Sequence, residues 1–140
     1  MVATSLAAVA ARFLLPWIDQ NQVQDVGFTD INLAWEYVAA FFGLVVLPPV
    51  AEELIFRGYL LGRLREKFSA WPAAIVVSAV FGFVHGQWNV GLDVFVLSLF
   101  LCYLRERTGS VWAGMALHGL KNGIAYFFLF IGPLIGINLV

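Results

Sequence analysis

Three short clusters bring together groups that can cut an amide bond. Glu52, Glu53 and Arg57 lie in PPVAEELIFRGYLLGRLRE, residues 48 to 66. Phe81 and His85 lie in FGFVHG, and His118 and Asn122 lie in LHGLKN. Amide hydrolysis needs a deprotonated water, a donor for the oxyanion, and a proton for the leaving amine. Carboxylates and imidazoles can handle the protons. Preorganised N–H donors can stabilise the oxyanion by about 3 kcal/mol each. A carboxylate in a low-dielectric site is also a stronger base than one in water.

The spacing within each cluster is helical. Glu53 and Arg57 are i,i+4 and can pair on one face. Glu52 then points about 100° away and is free to meet another partner. Phe81 with His85, and His118 with Asn122, repeat the i,i+4 relation and place each pair on one face.

These polar groups sit in a chain that points to lipid. It has 140 residues, 61% hydrophobic and 12% charged, with mean hydropathy +0.87. Soluble domains carry about 25% charge. The net charge of −1 gives no basic footprint, so nucleic acid is not an expected partner. The lone Cys102 can form no internal disulfide and reads as a small hydrophobe. The start of the chain lacks the basic opening of a signal peptide.

Without sustained period-two alternation, a barrel is not indicated, and helices remain the spanning option. The expected fold is all-α: a polytopic transmembrane helix bundle with its active site inside the membrane. Residues 1–34 read as an N-terminal apolar segment (2–18) followed by a polar loop (19–34). Residues 35–140 read as the core. The apolar stretch 35–62 is expected to kink or restart at Pro48-Pro49, which would put the Glu pair in the first turn of a new helix. A helix follows over 71–86, then a turn at GQWNVGLD. An apolar segment covers 94–104, RERTGS breaks the chain at 105–110, and a long apolar run from 111 is divided at Gly132-Pro133.

Cations set the orientation. Arg63, Arg65 and Lys67 in one loop, with Arg105 and Arg107 in another, place both loops on the cytoplasmic side. Measured from that side at ~1.5 Å per residue, Glu52 is about 16 Å deep, His85 about 20 Å, His118 about 12 Å and Asn122 about 18 Å. The three clusters therefore share a level at or beyond mid-membrane. Positions 52, 85, 118 and 122 are expected around one water-sized cavity.

The ordered pattern EExxxR, FxxxH, HxxxN resembles the CPBP family of intramembrane proteases. That family includes the Ras-converting CAAX prenyl endopeptidases and the bacterial bacteriocin-processing and self-immunity (Abi) proteins. The likeness covers roughly residues 46 to 125, and RGYLLGRL and RERTGSVWAGMALHGLKN add to it. The chain is short for the family and reads as a compact member or a trimmed core. The resemblance implies Glu52 as general base, His85 holding a water, and His118 with Asn122 at the oxyanion. Glu53, Arg57 and Phe81 would support them, with Glu53 near the site. Glu52, His85 and His118 would also make a His₂Glu zinc set. HExxH is absent, and the expectation is no tightly bound metal, with zinc on those three residues as the alternative.

The implied activity is an intramembrane endopeptidase, with or without a metal, acting on a membrane-associated, CAAX-like lipidated or bacteriocin-leader peptide. The implied setting is integral to a bacterial inner membrane, among its lipids. The competing reading is a non-catalytic scaffold or immunity protein that binds a partner membrane protein. A transporter would show a repeat, and none is present; a haem protein would use His85 and His118 as ligands.

Each residue also has a plainer role. Glu52 and Glu53 suit a helix N-terminus, His85 an interface, His118 a core, and Asn122 an interhelical hydrogen bond. Lys121 suits snorkelling. Arg105 and Arg107 suit topology alone, and Trp71, Trp88 and Trp112 suit an interfacial belt.

Overall fold

The computed structural model describes residues 26–28 and 31–137, without the side chains of Trp88 and Asn89. The expected apolar segment 2–18 and most of the polar loop 19–34 lie outside the described residues, as does the Trp88 side chain. Helix α1 spans Ala34–Arg65, α2 Ala70–Val84, α3 Trp88–Thr108 and α4 Trp112–Tyr126. A π-type turn, Phe127–Ile131, extends α4. The expected division at Gly132-Pro133 follows, with a short 3₁₀ turn at Pro133–Ile135. The described residues are helical, with no strand among them.

Helix α1 starts where the Glu36 carboxylate accepts the backbone N–H groups of Asn32 and Leu33, both at 2.8 Å. Those donors have no partner inside the helix, so an acidic residue in the first turn satisfies them. The helix then runs through Pro48-Pro49, which corrects the expected restart. Two stretches wind as π-helix instead, Phe42–Val46 and Glu53–Leu60. A proline ring crowds the carbonyl four residues back, and a widened turn upstream relieves that contact. Glu52 and Glu53 therefore lie mid-helix, not in a first turn, and the helix-N-terminus role falls away.

The turn expected at GQWNVGLD is also shorter than its sequence suggests. Gly86 (φ 69°) reverses the chain, and α3 is helical from Trp88. The following glycine, Gly91, serves packing instead. A Cβ built on Gly82 would stand 2.7 Å from the Gly91 carbonyl oxygen, and one on Gly91 2.8 Å from that of Gly82. Helices α2 and α3 thus cross backbone to backbone. Helix α3 continues through Arg105–Thr108 and ends at Gly109 (φ 67°), whose N–H bonds the Arg105 carbonyl at 3.0 Å. The break expected over 105–110 is reduced to its last two residues.

Arg65 Nε donates to Glu106 at 2.9 Å, so the two cationic ends meet on one side of the molecule. The small core joins Leu61, Ala73, Ala74, Val77 and Cys102, and Cys102 behaves as the small hydrophobe expected. Outward faces are apolar: Trp71 is 66% and Trp112 74% exposed, and Phe83 80%. Among the described residues, α1 is long and apolar enough to cross a membrane, while α2 is apolar but shorter.

Gly82→Ala should force α2 and α3 apart at their crossing. The expected loss is about 1–3 kcal/mol, the usual scale of overpacking, read as a lower Tm in detergent. Alanine at Gly62, where a Cβ meets nothing within 4 Å, should leave Tm nearly unchanged.

Candidate active site

The site is built around a buried ion pair. Arg57 Nη1 donates to Glu53 Oε1 at 2.8 Å, and both side chains are fully buried. Three other helices complete it. Arg57 Nη2 donates to Ser98 Oγ of α3 at 2.6 Å. The guanidinium lies 4.5 Å from the centre of the Phe81 ring of α2, a cation–π distance. His118 of α4 places Nδ1 3.2 Å from Glu53 Oε1.

That last contact defines the imidazole. A carboxylate only accepts, so Nδ1 carries hydrogen and Nε2 is turned elsewhere. Nε2 faces Glu52 Oε2 at 3.7 Å, just beyond a direct hydrogen bond. Glu52 is partly exposed, its side chain at 29%. His118 therefore bridges two adjacent carboxylates of α1, one locked by arginine and one open. The Oε2 atom that faces the ring is itself buried and has no hydrogen-bond partner, so the exposed part of the side chain lies elsewhere.

His85 lies at the end of α2, where Nδ1–H donates to the Phe81 carbonyl at 2.7 Å. The bond satisfies one of the last carbonyls of the helix and leaves Nε2 as an acceptor. The Phe81 ring packs edge-on against both imidazoles, 4.9 Å from His85 and 5.9 Å from His118.

Asn122 has a separate task. Its Nδ2 donates to the Leu44 carbonyl at 2.9 Å. In an α-helix that carbonyl would take the N–H of residue 48, and in a π turn that of residue 49. Both are proline and have none. The side chain of α4 thus supplies the hydrogen bond that Pro48-Pro49 withhold, and one N–H of the amide is committed there.

Of the predicted residues, the structure joins Glu52, Glu53, Arg57, Phe81 and His118 in one contact network and adds His85 beside Phe81. Asn122 is one helical turn from His118, engaged with Leu44. Among the described residues, no three His, Cys, Asp or Glu side chains are grouped to hold a metal ion. Of Glu52, His85 and His118, the pair in contact is Glu52 with His118 at 3.7 Å; each imidazole gives Nδ1 to the protein, which leaves Nε2 as the nitrogen a ligand could take.

Residues 34–124 match the model of the family described as "Rce1-like: Type II CAAX prenyl endopeptidase Rce1-like". The chain belongs to this Rce1-like family. The resemblance drawn from the three motifs is borne out, and the protein is a membrane protein. It is similar to the "Putative membrane peptidase YdiL" of Bacillus subtilis (strain 168), 30% identical over 77 residues, covering 55% of this chain and 32% of that one. It is also similar to an "Uncharacterized 24.3 kDa protein" of Escherichia coli, 24% identical over 123 residues, covering 84% of this chain and 52% of that one. The chain thus spans about a third to a half of these relatives. No solved structure matches it.

Two residues of this network escaped sequence reasoning. Ser98, fully buried, is a lone hydroxyl in the run VFVLSLFLCYL, and that isolation was its only signal. Gly114 gave less. A Cβ there would stand 2.5 Å from Glu53 Oε2, so only glycine lets the carboxylate lie against α4.

Arg57→Met should cost about 3–5 kcal/mol by leaving Glu53 buried without its partner. Adding Glu53→Gln should recover part of that loss, measured as a double-mutant cycle in Tm. Gly114→Ala should destabilise by about 1–3 kcal/mol through overpacking. Asn122→Leu should cost a similar amount by stranding the Leu44 carbonyl.

Proposed function

We propose that this protein is an intramembrane endopeptidase, a polytopic helix bundle of a bacterial inner membrane, that hydrolyses a peptide bond of a membrane-associated substrate. CAAX-like lipidated peptides and bacteriocin leaders are the substrate classes in view. The observation that carries the reading is His118 held between a buried, arginine-locked Glu53 and a partly exposed Glu52. Carboxylate, imidazole and carboxylate in sequence fix one ring orientation, the way an orienting acid fixes a catalytic histidine.

Glu52 takes a proton from water, and the resulting hydroxide attacks the scissile carbonyl carbon. His85 Nε2, an acceptor while Nδ1–H serves Phe81, steadies the water by taking its second hydrogen bond. The carbonyl oxygen becomes an oxyanion. It is met by the second N–H of Asn122 and by His118 Nε2 as that nitrogen shares the proton taken up by Glu52, which it faces at 3.7 Å. The C–N bond then breaks, and the proton on Glu52 passes to the leaving amine. Phe81, against both imidazoles, keeps them apart and excludes water behind them. No step is assigned to a metal.

A second reading, a non-catalytic scaffold or immunity protein that binds a membrane partner, draws on one feature. His85 Nδ1 and Asn122 Nδ2 both serve backbone carbonyls, and a fold would keep them without any reaction.

Terminal proteomics of membranes containing wild type or Glu52→Gln separates the two. New protein termini are expected with wild type and absent with the variant. Identical termini, with the biological effect retained, would favour the scaffold. Cleavage by purified enzyme should persist after dialysis against a chelator; loss that zinc restores would overturn the metal-free assignment.

A further inference from the structure

A cavity of about 230 Å³ opens between α1 and α3 on the far side of Arg57 from Glu52. Arg57, Gly62 and Arg65 line it from α1, and Arg105, Glu106 and Gly109 from the end of α3. Glu52, His85, His118 and Asn122 do not border it. Its space equals several waters at ~30 Å³ each.

Charge is unbalanced there. Three guanidinium groups meet one carboxylate, and Glu106 is already engaged by Arg65 at 2.9 Å. Arg57 turns Nη1 to Glu53 and Nη2 to Ser98. Arg105 forms no ion pair among the described residues. The Nε–H groups of Arg57 and Arg105 are both buried without a hydrogen-bond partner, and Arg57 is only 1% exposed. A buried donor left unmade costs about 1–3 kcal/mol, and more when charged. Arg57 and Arg105 both line the cavity, so an occupant with negatively charged oxygens would meet their unbalanced charge.

We propose that this cavity binds a phosphate oxyanion, presented by the headgroup of an anionic phospholipid in the leaflet at the arginine-rich end. Guanidinium forks match phosphate oxygens in geometry as well as charge. Basic pockets between membrane helices on the cytoplasmic side are suited to such headgroups. The exposed Trp71 and Trp112, each at the start of its helix, mark the same end as an interfacial level. The site stands whether or not Glu52 is catalytic.

The test uses the full chain in neutral detergent, with native mass spectrometry and thermal unfolding against three probes: phosphatidylglycerol, diacylglycerol and inorganic phosphate. Phosphatidylglycerol should bind wild type and raise its Tm, and diacylglycerol should not. Arg105→Gln should weaken phosphatidylglycerol at least tenfold. So should Gly62→Leu, which fills the mouth from a position with open space. If inorganic phosphate stabilises wild type but neither variant, while the lipid adds nothing, the site takes free phosphate by the same chemistry. Equal lipid binding by wild type and both variants overturns the proposal, as does binding of neither phosphate probe. Should Arg105→Gln fail to fold, Gly62→Leu decides alone.

Discussion

A charged pair taken out of water needs partners beyond each other, and that requirement organises this molecule. Glu53 and Arg57 are both fully buried. Desolvation costs several kcal/mol per ion, repaid only by good geometry and further hydrogen bonds. One partner on the same helix is not enough. Ser98 takes the second arginine nitrogen, Phe81 covers the guanidinium face, and His118 shares the carboxylate oxygen. Each comes from a different helix, so the pair specifies how α2, α3 and α4 assemble on α1. Glycine is needed at 114 for the same reason, because the other carboxylate oxygen occupies the space of its side chain.

The geometry on which the proposed proton transfers rest grows from that structural demand. Because Glu53 is fixed, the ring of His118 is fixed, and because the ring is fixed, Nε2 addresses Glu52. Support and the proposed chemistry therefore meet in one imidazole. Asn122, one turn further along α4, ties the same helix to α1 through the Leu44 carbonyl. A polar residue that spacing alone would assign to an oxyanion has a prior obligation set by two prolines on another helix.

Much of this was legible in the residues. The i,i+4 spacing of Glu53 and Arg57 anticipated their pairing, and the adjacent Glu52 was correctly expected to face another partner. The lone cysteine and the break at Gly132-Pro133 were also readable. The failures share a cause. Local rules for Pro48-Pro49, for GQWNVGLD and for RERTGS each predicted a break, and packing overrode them. The π stretch Phe42–Val46 absorbs the prolines, Gly91 supports a close helix crossing, and the polar end of α3 stays helical until Gly109. Ser98 and Gly114 carry no motif at all. Their importance comes from what stands opposite them, which a single chain of letters does not display.

The π winding of α1 also changes what a motif match means. A π turn closes its hydrogen bonds one residue later than an α turn. In a regular α-helix one residue more or fewer swings everything beyond it by about 100°, whereas a π turn takes up one such residue within a single turn. A length change that the winding did not absorb would keep EExxxR letter for letter, yet turn its carboxylates towards lipid instead of α4. Homologues that preserve the signature but differ in length just upstream of it can therefore be silent copies, written correctly and aimed the wrong way.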